Sequence, residues 1–286
     1  MKIAWATDIH LNFIDDNQLE IFNKVLSQYD AVFLTGDLSE FPYLKYHLEK
    51  MAEEINKPIY FVLGNHDYYY GSVKEMKKEM KSFKNKNLFY LANKDFIKLN
   101  KNTAIVGHDC WYDGKFGDYW NSRLAMSDFL LIEEFYKKIN IWQLNNGYFR
   151  ECPKEKDKVI VTKGKTEILE KMEELSSKGN EHIISSLKKA YNKGFRKIIA
   201  LTHVPPFLQN SLYNNKPSND TWAPFFTNKN LGDNLLEFAS NYKDCEVIVL
   251  CGHSHHRAIY QPLNNLIVKT GDAEYNYPKI EEILEY

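Results

Sequence analysis

The stretch Ala31-Val32-Phe33-Leu34-Thr35-Gly36-Asp37 carries the reading of the whole chain. Its apolar run reads as a buried strand, and the strand stops at a glycine followed by a carboxylate. Charge at such a place costs desolvation free energy unless something pairs with it. No single partner for Asp37 stands out in the rest of the chain. The same arrangement, an apolar run that ends on metal-ligand residue types, instead returns four more times. Lys2 to Thr7 ends at Asp8-Ile9-His10. Ile59 to Leu63, opened by Pro58, ends at Gly64-Asn65-His66-Asp67. Lys197 to Leu201 ends at Thr202-His203. Glu246 to Cys251 ends at Gly252-His253-Ser254-His255-His256.

Segments of helical period separate these runs. Leu19, Phe22, Val25 and Leu26 share one face, and a second helix covers about Tyr43 to Ile55. Ser72 stands where an N-cap belongs for a lysine-rich helix over Val73 to Phe83, and another helix lies near Leu231 to Ala239. Strand-helix units repeated three times in the first ninety residues predict a parallel sheet with right-handed crossovers. Leu88 to Leu91, Phe96 to Leu99 and Thr103 to Val106 then follow with short connections and predict antiparallel members. Ala258 to Gln261 and Leu266 to Thr270 read as a terminal antiparallel pair.

Sites in open α/β sheets form beyond the carboxyl ends of the strands, so all five ends can face one place. In Asp8-x-His10 and His253-x-His255, alternate side chains point the same way and put two ligands on one side. His256 then points away and is not a ligand. Each motif alone is weak. Five in one strand-end context, in a chain with nine histidines, predict a shared metal site with Asp37 between two ions.

The region from about Trp111 to Asn180 differs in character. Trp111, Tyr112, Phe116, Tyr119 and Trp120 open it. A helix near Asp128 to Lys138, an aromatic segment from Trp142 to Phe149, a charged stretch from Glu151 to Lys165 and helical spacing to about Asn192 follow. Two readings stand: an inserted cap that controls which substrates enter, or a peripheral arm used for oligomerisation. The aromatic residues, with Trp222, Phe225 and Phe226 in a later Pro-rich loop, either line a pocket for a flat apolar group or pack the insertion onto the main sheet. His108 and Asp109, at another strand end, read as structural, with substrate contact as the alternative.

Composition narrows the class. The 286 residues are 44% hydrophobic and 14% aromatic, enough for a sizeable core. The net charge of -1, from 37 basic and 38 acidic residues, leaves no basic footprint for duplex nucleic acid. Four cysteines form no CxxC pair and are too sparse for a disulfide scaffold; Cys245 and Cys251 read as small buried hydrophobes. Asp8 follows the start too closely for a signal peptide, and no apolar run nears the ~20 residues of a bilayer span. The expectation is a soluble cytoplasmic protein.

The ordered set resembles the calcineurin-like metallophosphoesterases, whose pattern is Asp-x-His, Gly-Asp, Gly-Asn-His-Asp/Glu, a lone His and Gly-His-x-His. It stands here as Asp8-Ile9-His10, Gly36-Asp37, Gly64-Asn65-His66-Asp67, His203 and Gly252-His253-Ser254-His255. The resemblance implies an α/β fold: a four-layer α-β-β-α sandwich of two mixed sheets in one domain over 1–286, with a largely helical inserted cap at 111–180. It implies that Asp8, His10, Asp37 and His255 hold one ion, and Asp37, Asn65, His203 and His253 the other. Mixed oxygen and nitrogen donors suit Mn, Fe, Zn, Ni or Co, with Mn expected to serve in vitro. Two such cations, roughly 3.5–4 Å apart, clamp a phosphoester and make a bridging hydroxide available near neutral pH.

By the same resemblance, His66 aids the leaving group as a proton or hydrogen-bond donor. Glu40 and Asp67 are the candidates to orient it. Glu40 reads equally well as a solvated carboxylate at a helix start. The phosphoprotein phosphatases of this superfamily follow Gly-Asp with Asp-Arg-Gly; here Leu38-Ser39-Glu40-Phe41-Pro42 follows, with no arginine. That disfavours a protein phosphatase and favours a small phosphorylated, nucleotide-like substrate, monoester or diester. A nuclease is less favoured on charge grounds, since phosphate contacts normally supply that affinity. A metal-containing scaffold without turnover is the alternative from another class; an intact His66 and ligand set argue against it. The sequence is silent on oligomeric state.

Overall fold

A computed structural model describes residues 1–136 and 155–286. The Trp142 to Phe149 segment lies outside the described residues, as does part of the charged stretch after it. In chain order the elements are β1 (Lys2–Ala6), α1 (Asp16–Leu26), β2 (Ala31–Thr35), α2 (Phe41–Ile55), β3 (Ile59–Val62), α3 (Val73–Ser82), β4 (Leu88–Tyr90), β5 (Ile97–Lys98) and β6 (Thr103–Gly107). Then come α4 (Asp128–Leu131), α5 (Glu133–Tyr136), α6 (Glu155–Asn192), β7 (Lys197–Leu201), β8 (Leu212–Tyr213) and β9 (Lys216–Pro217). The chain closes with α7 (Ala223–Phe226), α8 (Lys229–Asn241), β10 (Glu246–Cys251), β11 (Ala258–Leu263), β12 (Leu266–Thr270) and β13 (Glu282–Glu285).

Two mixed sheets form the centre, in the orders β13-β1-β2-β3-β4 and β11-β12-β10-β7-β6-β5, with helices on the outer faces. The layers follow from alternation along each strand. Ile3, Trp5, Ala31 and Phe33 pack between the sheets with Ile105, Ile199, Leu201, Ile248 and Leu250. Their neighbours Ala4, Ala6, Val32 and Leu34 face outward against α1 and α2, through Leu19, Phe22, Leu48 and Met51. On the other side Ala104, Ile198, Val247 and Val249 pack against Leu187 of α6 and Leu235 and Phe238 of α8.

The expected parallel core is present: β1, β2, β3 and β4 run parallel, as do β6, β7, β10 and β12. Three details differ from the sequence reading. β4 is parallel to β3, because α3 supplies a full crossover between them. β6 belongs to the second sheet, where β5 is its antiparallel edge. The last strand, β13, returns to pair antiparallel with β1, Lys2 opposite Glu285. Its short charged sequence, Glu-Ile-Leu-Glu, carries little strand signal.

Helix starts follow local chemistry. Asp15 and Gln18 form a reciprocal capping box on α1, and Ser72 accepts from the Glu75 N–H at the start of α3. Glu134, from α5, adds a carboxylate to the same end of α3 and accepts from the N–H groups of Val73 and Lys74. The helix expected near Asp128 to Lys138 is two short turns, broken at Ile132, whose backbone is extended and bridges to Gly71. Beyond Tyr136 that expectation lies outside the described residues.

The sequence break at Asn180 is not a structural one. α6 runs through it without interruption. Ile168 and Met172 in its first half join the core outside the first sheet, and Ile183, Leu187 and Ala190 in its second half join the core outside the second. Asn180 exchanges two side-chain hydrogen bonds with Asn228, at 3.1 and 2.9 Å, and Asn228 also donates to the Trp111 carbonyl at 2.7 Å. Buried Lys165 donates to the carbonyls of Tyr119, Trp120 and Ser122, pinning the loop that opens the region.

Candidate metal centre

The five strand ends meet. Asp8, His10, Asp37 and His255 form one cluster, and Asp37, His203 and His253 a second, with ligand atoms in each cluster within 4.8 Å of one another. Asp37 is common to both, and its two oxygens divide between them. Oδ1 lies 3.3 Å from His203 Nε2, while Oδ2 lies 4.0 Å from His10 Nε2. Asn65 joins the second cluster: its Oδ1 is 3.0 Å from His203 Nε2. In the first, His255 Nε2 is 3.3 Å from both Asp8 Oδ1 and His10 Nε2.

The convergence has a different origin from simple strand alternation. Asp8, His10, Asp37, His253 and His255 all have left-handed backbone, with φ of 47°, 41°, 51°, 70° and 55°. Each such residue costs roughly 1–3 kcal/mol and persists only where its surroundings over-determine it. Here the surroundings are backbone and side-chain bonds. Asp8 N–H donates to the Gly36 carbonyl and His10 N–H to that of Asp37, each at 3.0 Å. His253 N–H donates to Asp8 Oδ1 at 3.0 Å, and His66 N–H to Asp37 Oδ1 at 2.9 Å. Two glycines make room. A Cβ on Gly64 would fall 2.1 Å from Asp37 Oδ1, and one on Gly252 would fall 2.0 Å from Asp8 Oδ2.

These donors fit a pair of divalent cations. Ligand atoms 3–4 Å apart, without hydrogens enough to bond each pair, have the spacing of groups that share an ion at about 2 Å. Histidine tautomers are set from behind, as ligating histidines require. His203 Nδ1 donates to the Thr35 carbonyl at 2.9 Å and frees Nε2 for the cluster. His253 Nε2 donates to the Phe225 carbonyl at 2.9 Å and frees Nδ1. The electrostatics call for positive charge. Burial would raise the Asp8 carboxyl, yet its His255 bond and the His203 charge bring it to about 2. Burial would lower His203, yet Asp37 and Asp8 lift it to about 10. At His10 burial outweighs the Asp37 and Asp8 charges and takes it to about 3.

His66 stands at the mouth, its Nε2 3.8 Å from Asp37 Oδ2. Its ring stacks on Tyr69 at 4.3 Å and meets His10 edge-on at 4.7 Å. Neither expected carboxylate hydrogen-bonds it. Asp67 is fully buried, and its oxygens accept from the N–H groups of Leu38, Ser39 and Gly64, tying the Asp37 turn to the Asn65 turn. Glu40 is the N-cap residue of α2 without a side-chain cap bond; burial raises its carboxyl and the His66 charge opposes that. His66 Nδ1 is buried without a partner among the described residues.

Asp109 also holds the frame. It accepts from the Leu63 N–H and from the hydroxyls of Tyr68 and Tyr90. His256 lies outside both clusters, bonded to the Ser254 carbonyl. The sequence reading missed two contributors. Asp128, fully buried, accepts from Asn65 Nδ2 at 2.8 Å, Tyr69 Oη at 2.7 Å and Tyr112 Oη at 2.6 Å. It thereby turns the Asn65 oxygen to the cluster. Tyr275 covers the mouth, 4.6 Å from the His10 ring and 5.3 Å from His255. Neither lies in a motif; an Asp that opens the apolar run Phe129-Leu130-Leu131-Ile132 was the one available signal.

The family model described as calcineurin-like phosphoesterase matches residues 1–257. This chain belongs to that family. A similar fold is seen in solved structures. Phosphopantetheinyl hydrolase from Mycobacterium tuberculosis superimposes with a TM-score of 0.57 at 11% identity, covering 96% of this chain and 90% of that one. A dimetal phosphatase from Danio rerio gives 0.54 at 11% identity, covering 97% and 89%. At such identities the likeness is one of fold. No curated protein sequence matches the chain. No helix among the described residues is long and apolar enough to cross a membrane.

Proposed function

We propose that this calcineurin-like phosphoesterase hydrolyses a small phosphorylated, nucleotide-like molecule at two divalent cations. Asp8, His10, Asp37 and His255 would hold one ion, and Asp37, Asn65, His203 and His253 the other. The observation that carries this is Asp37, with one oxygen turned to each cluster. Bound cations supply Lewis acidity at the phosphoryl oxygens and lower the pKa of a water poised for in-line attack. Nitrogen and oxygen donors without thiolate favour Mn, Fe, Zn, Ni or Co.

The protein's own part is positioning and proton delivery. His66 presents Nε2 toward the cluster, held by stacking on Tyr69, and gives its proton to the departing oxygen. Asp67 acts on His66 through the backbone it pins, and Glu40 through its charge. Region 111–180 belongs to the single domain, and its Asp128 supports the site from inside. The region also governs which substrates enter.

The test is hydrolysis by purified protein reconstituted with Mn²⁺. One arm uses p-nitrophenyl phosphate and the other bis-p-nitrophenyl phosphate, with Asp37→Asn as control. Release in the diester arm alone assigns a phosphodiesterase; release from the monoester assigns a phosphatase. Hydrolysis that survives Asp37→Asn, or none in either arm with two ions bound, refutes the proposal.

A further inference from the structure

A groove of about 760 Å³ opens beside His253 and His255, within the range of small-molecule sites. One wall is the β8–β9 hairpin, whose two turn residues, Asn214 and Asn215, have left-handed φ of 50° and 60°. The turn is thus built in a fixed form, with asparagines suited to it. The other wall is Trp222, just before α7, and Phe226 at its end. Trp222 meets Phe226 edge-on at 5.6 Å, and Phe226 packs on the His253 ring at 4.8 Å. An unbroken aromatic path therefore leads from the metal centre to the groove.

Two large aromatic side chains on this lining stay open to solvent. Tyr213 is 67% exposed and Trp222 45%. Neither fills the core, and both rings line the same space. Lys216 is the single Lys or Arg of the lining, no carboxylate lines it, and Lys216 makes no ion pair among the described residues. The Asn214 amide has no hydrogen-bond partner among the described residues. The groove thus offers stacking faces, an amide edge and one cation, and opposes nothing negative.

We infer that this groove binds the nucleoside part of a nucleotide ester, its base stacked on Trp222 and Tyr213, with the phosphorus at the metal centre. This rests on the phosphoesterase reading and extends it to a substrate class. Aromatic faces take any base, because every base has a π-face. The Asn214 amide can bond a base edge, and Lys216 favours an anionic ligand over a cationic one. An aliphatic phosphate would leave both aromatic faces unused.

The experiment uses the full chain loaded with Mn²⁺ and measures binding of adenosine 5′-monophosphate, ribose 5-phosphate and inorganic phosphate by titration calorimetry. The nucleotide is expected to bind about tenfold or more tightly than ribose 5-phosphate. Trp222→Ala and Tyr213→Ala should each narrow that gap and leave phosphate affinity unchanged. Equal affinity for the two organic phosphates in the wild type overturns the inference. Loss of phosphate affinity in a variant also overturns it, since the groove would then act through the metal centre. If wild type binds no phosphate, the phosphoesterase reading fails by itself. Adenosine titrated against tryptophan fluorescence then decides the groove: quenching lost in Trp222→Ala upholds it, and no quenching overturns it.

Discussion

Asp128→Asn is the sharpest probe of how the centre is held. The carboxylate takes three donors, from Asn65, Tyr69 and Tyr112, at 2.6–2.8 Å in a site closed to solvent. Alanine there orphans three buried groups. At ~1–3 kcal/mol each that is about 3–9 kcal/mol, a large part of a domain's ~5–15 kcal/mol, so the chain unfolds. Asparagine keeps the shape and one acceptor. With its oxygen toward Asn65 and Tyr69, its nitrogen faces Tyr112, whose hydroxyl can turn to accept. Three charge-assisted bonds become neutral, a loss of roughly 1 kcal/mol each, about 3 kcal/mol in all. The Asn65 amide is then less firmly aimed, and one of two Mn²⁺ ions should bind 10–100-fold more weakly, the usual cost of losing a support behind a ligand. Competition with a fluorescent chelator reads the two affinities, and urea unfolding of the metal-free protein reads the stability. Two ions bound at wild-type affinity would show that Asn65 is aimed by Tyr69 alone, and that the Asp128 network serves packing.

His66→Gln should lower kcat by ~10²–10⁴ with both ions retained; loss of metal instead would make His66 a ligand. Gly252→Ala places a methyl against Asp8 Oδ2 and should abolish binding at the Asp8 cluster, while far-ultraviolet dichroism keeps its α/β shape; full metal binding would mean the turn can yield. Stripping the ions should lower the melting temperature, by the equivalent of about 2.7 kcal/mol from a concentration of 100 Kd; an unchanged melt would mean that the described centre binds no ion. His47, buried beside Ser39, is pushed down to about 4 by burial. Its folded pKa lies below the unfolded value, so between pH 6.5 and 4 the unfolded chain holds the extra proton. Stability then falls as the pH drops through that window, by at most about 3 kcal/mol before solvent screening, and is unaffected above it. His47→Gln should flatten that slope relative to wild type in urea titrations at pH 7 and 5; parallel slopes would refute it.

Much of the architecture was legible because its signals are local. An apolar strand ending at Gly36-Asp37 or Gly252-His253 announces both a core element and a cluster of donors, and those ends do meet. Posture was not legible. Left-handed backbone at Asp8 or His255 leaves no mark on residue type, as it does at Gly36, so convergence was assigned to alternation along a strand. Asp67 shows a related limit. A carboxylate next to His66 suggests an ion pair, yet three backbone N–H groups outcompete the ring for it. Asp128 was hidden for another reason: its partners Asn65, Tyr69 and Tyr112 are up to 63 positions away, and no spacing joins them. Within the region that composition set apart at Trp111 to Asn180, Asp128, Glu134 and the Ile168 and Met172 face of α6 bond to or pack on the first sheet's side. Excising it whole would remove the support of Asn65 and open the core outside the first sheet.

The pairing of β13 with β1 governs when the first sheet can be closed. β1 carries the first two candidate ligands at its end, yet one of its edges stays open until a strand some 280 positions later arrives. During synthesis at ~5–20 residues per second, that edge waits tens of seconds, a template for wrong partners. The same closing segment brings in Tyr275 over His10, and Glu281, which receives Arg257 and the Asp272 N–H. A nascent chain grown past His255 but not to Tyr275 therefore has its donors but not the ring that covers them. A stop anywhere before Glu282 leaves the β1 edge of the sheet open.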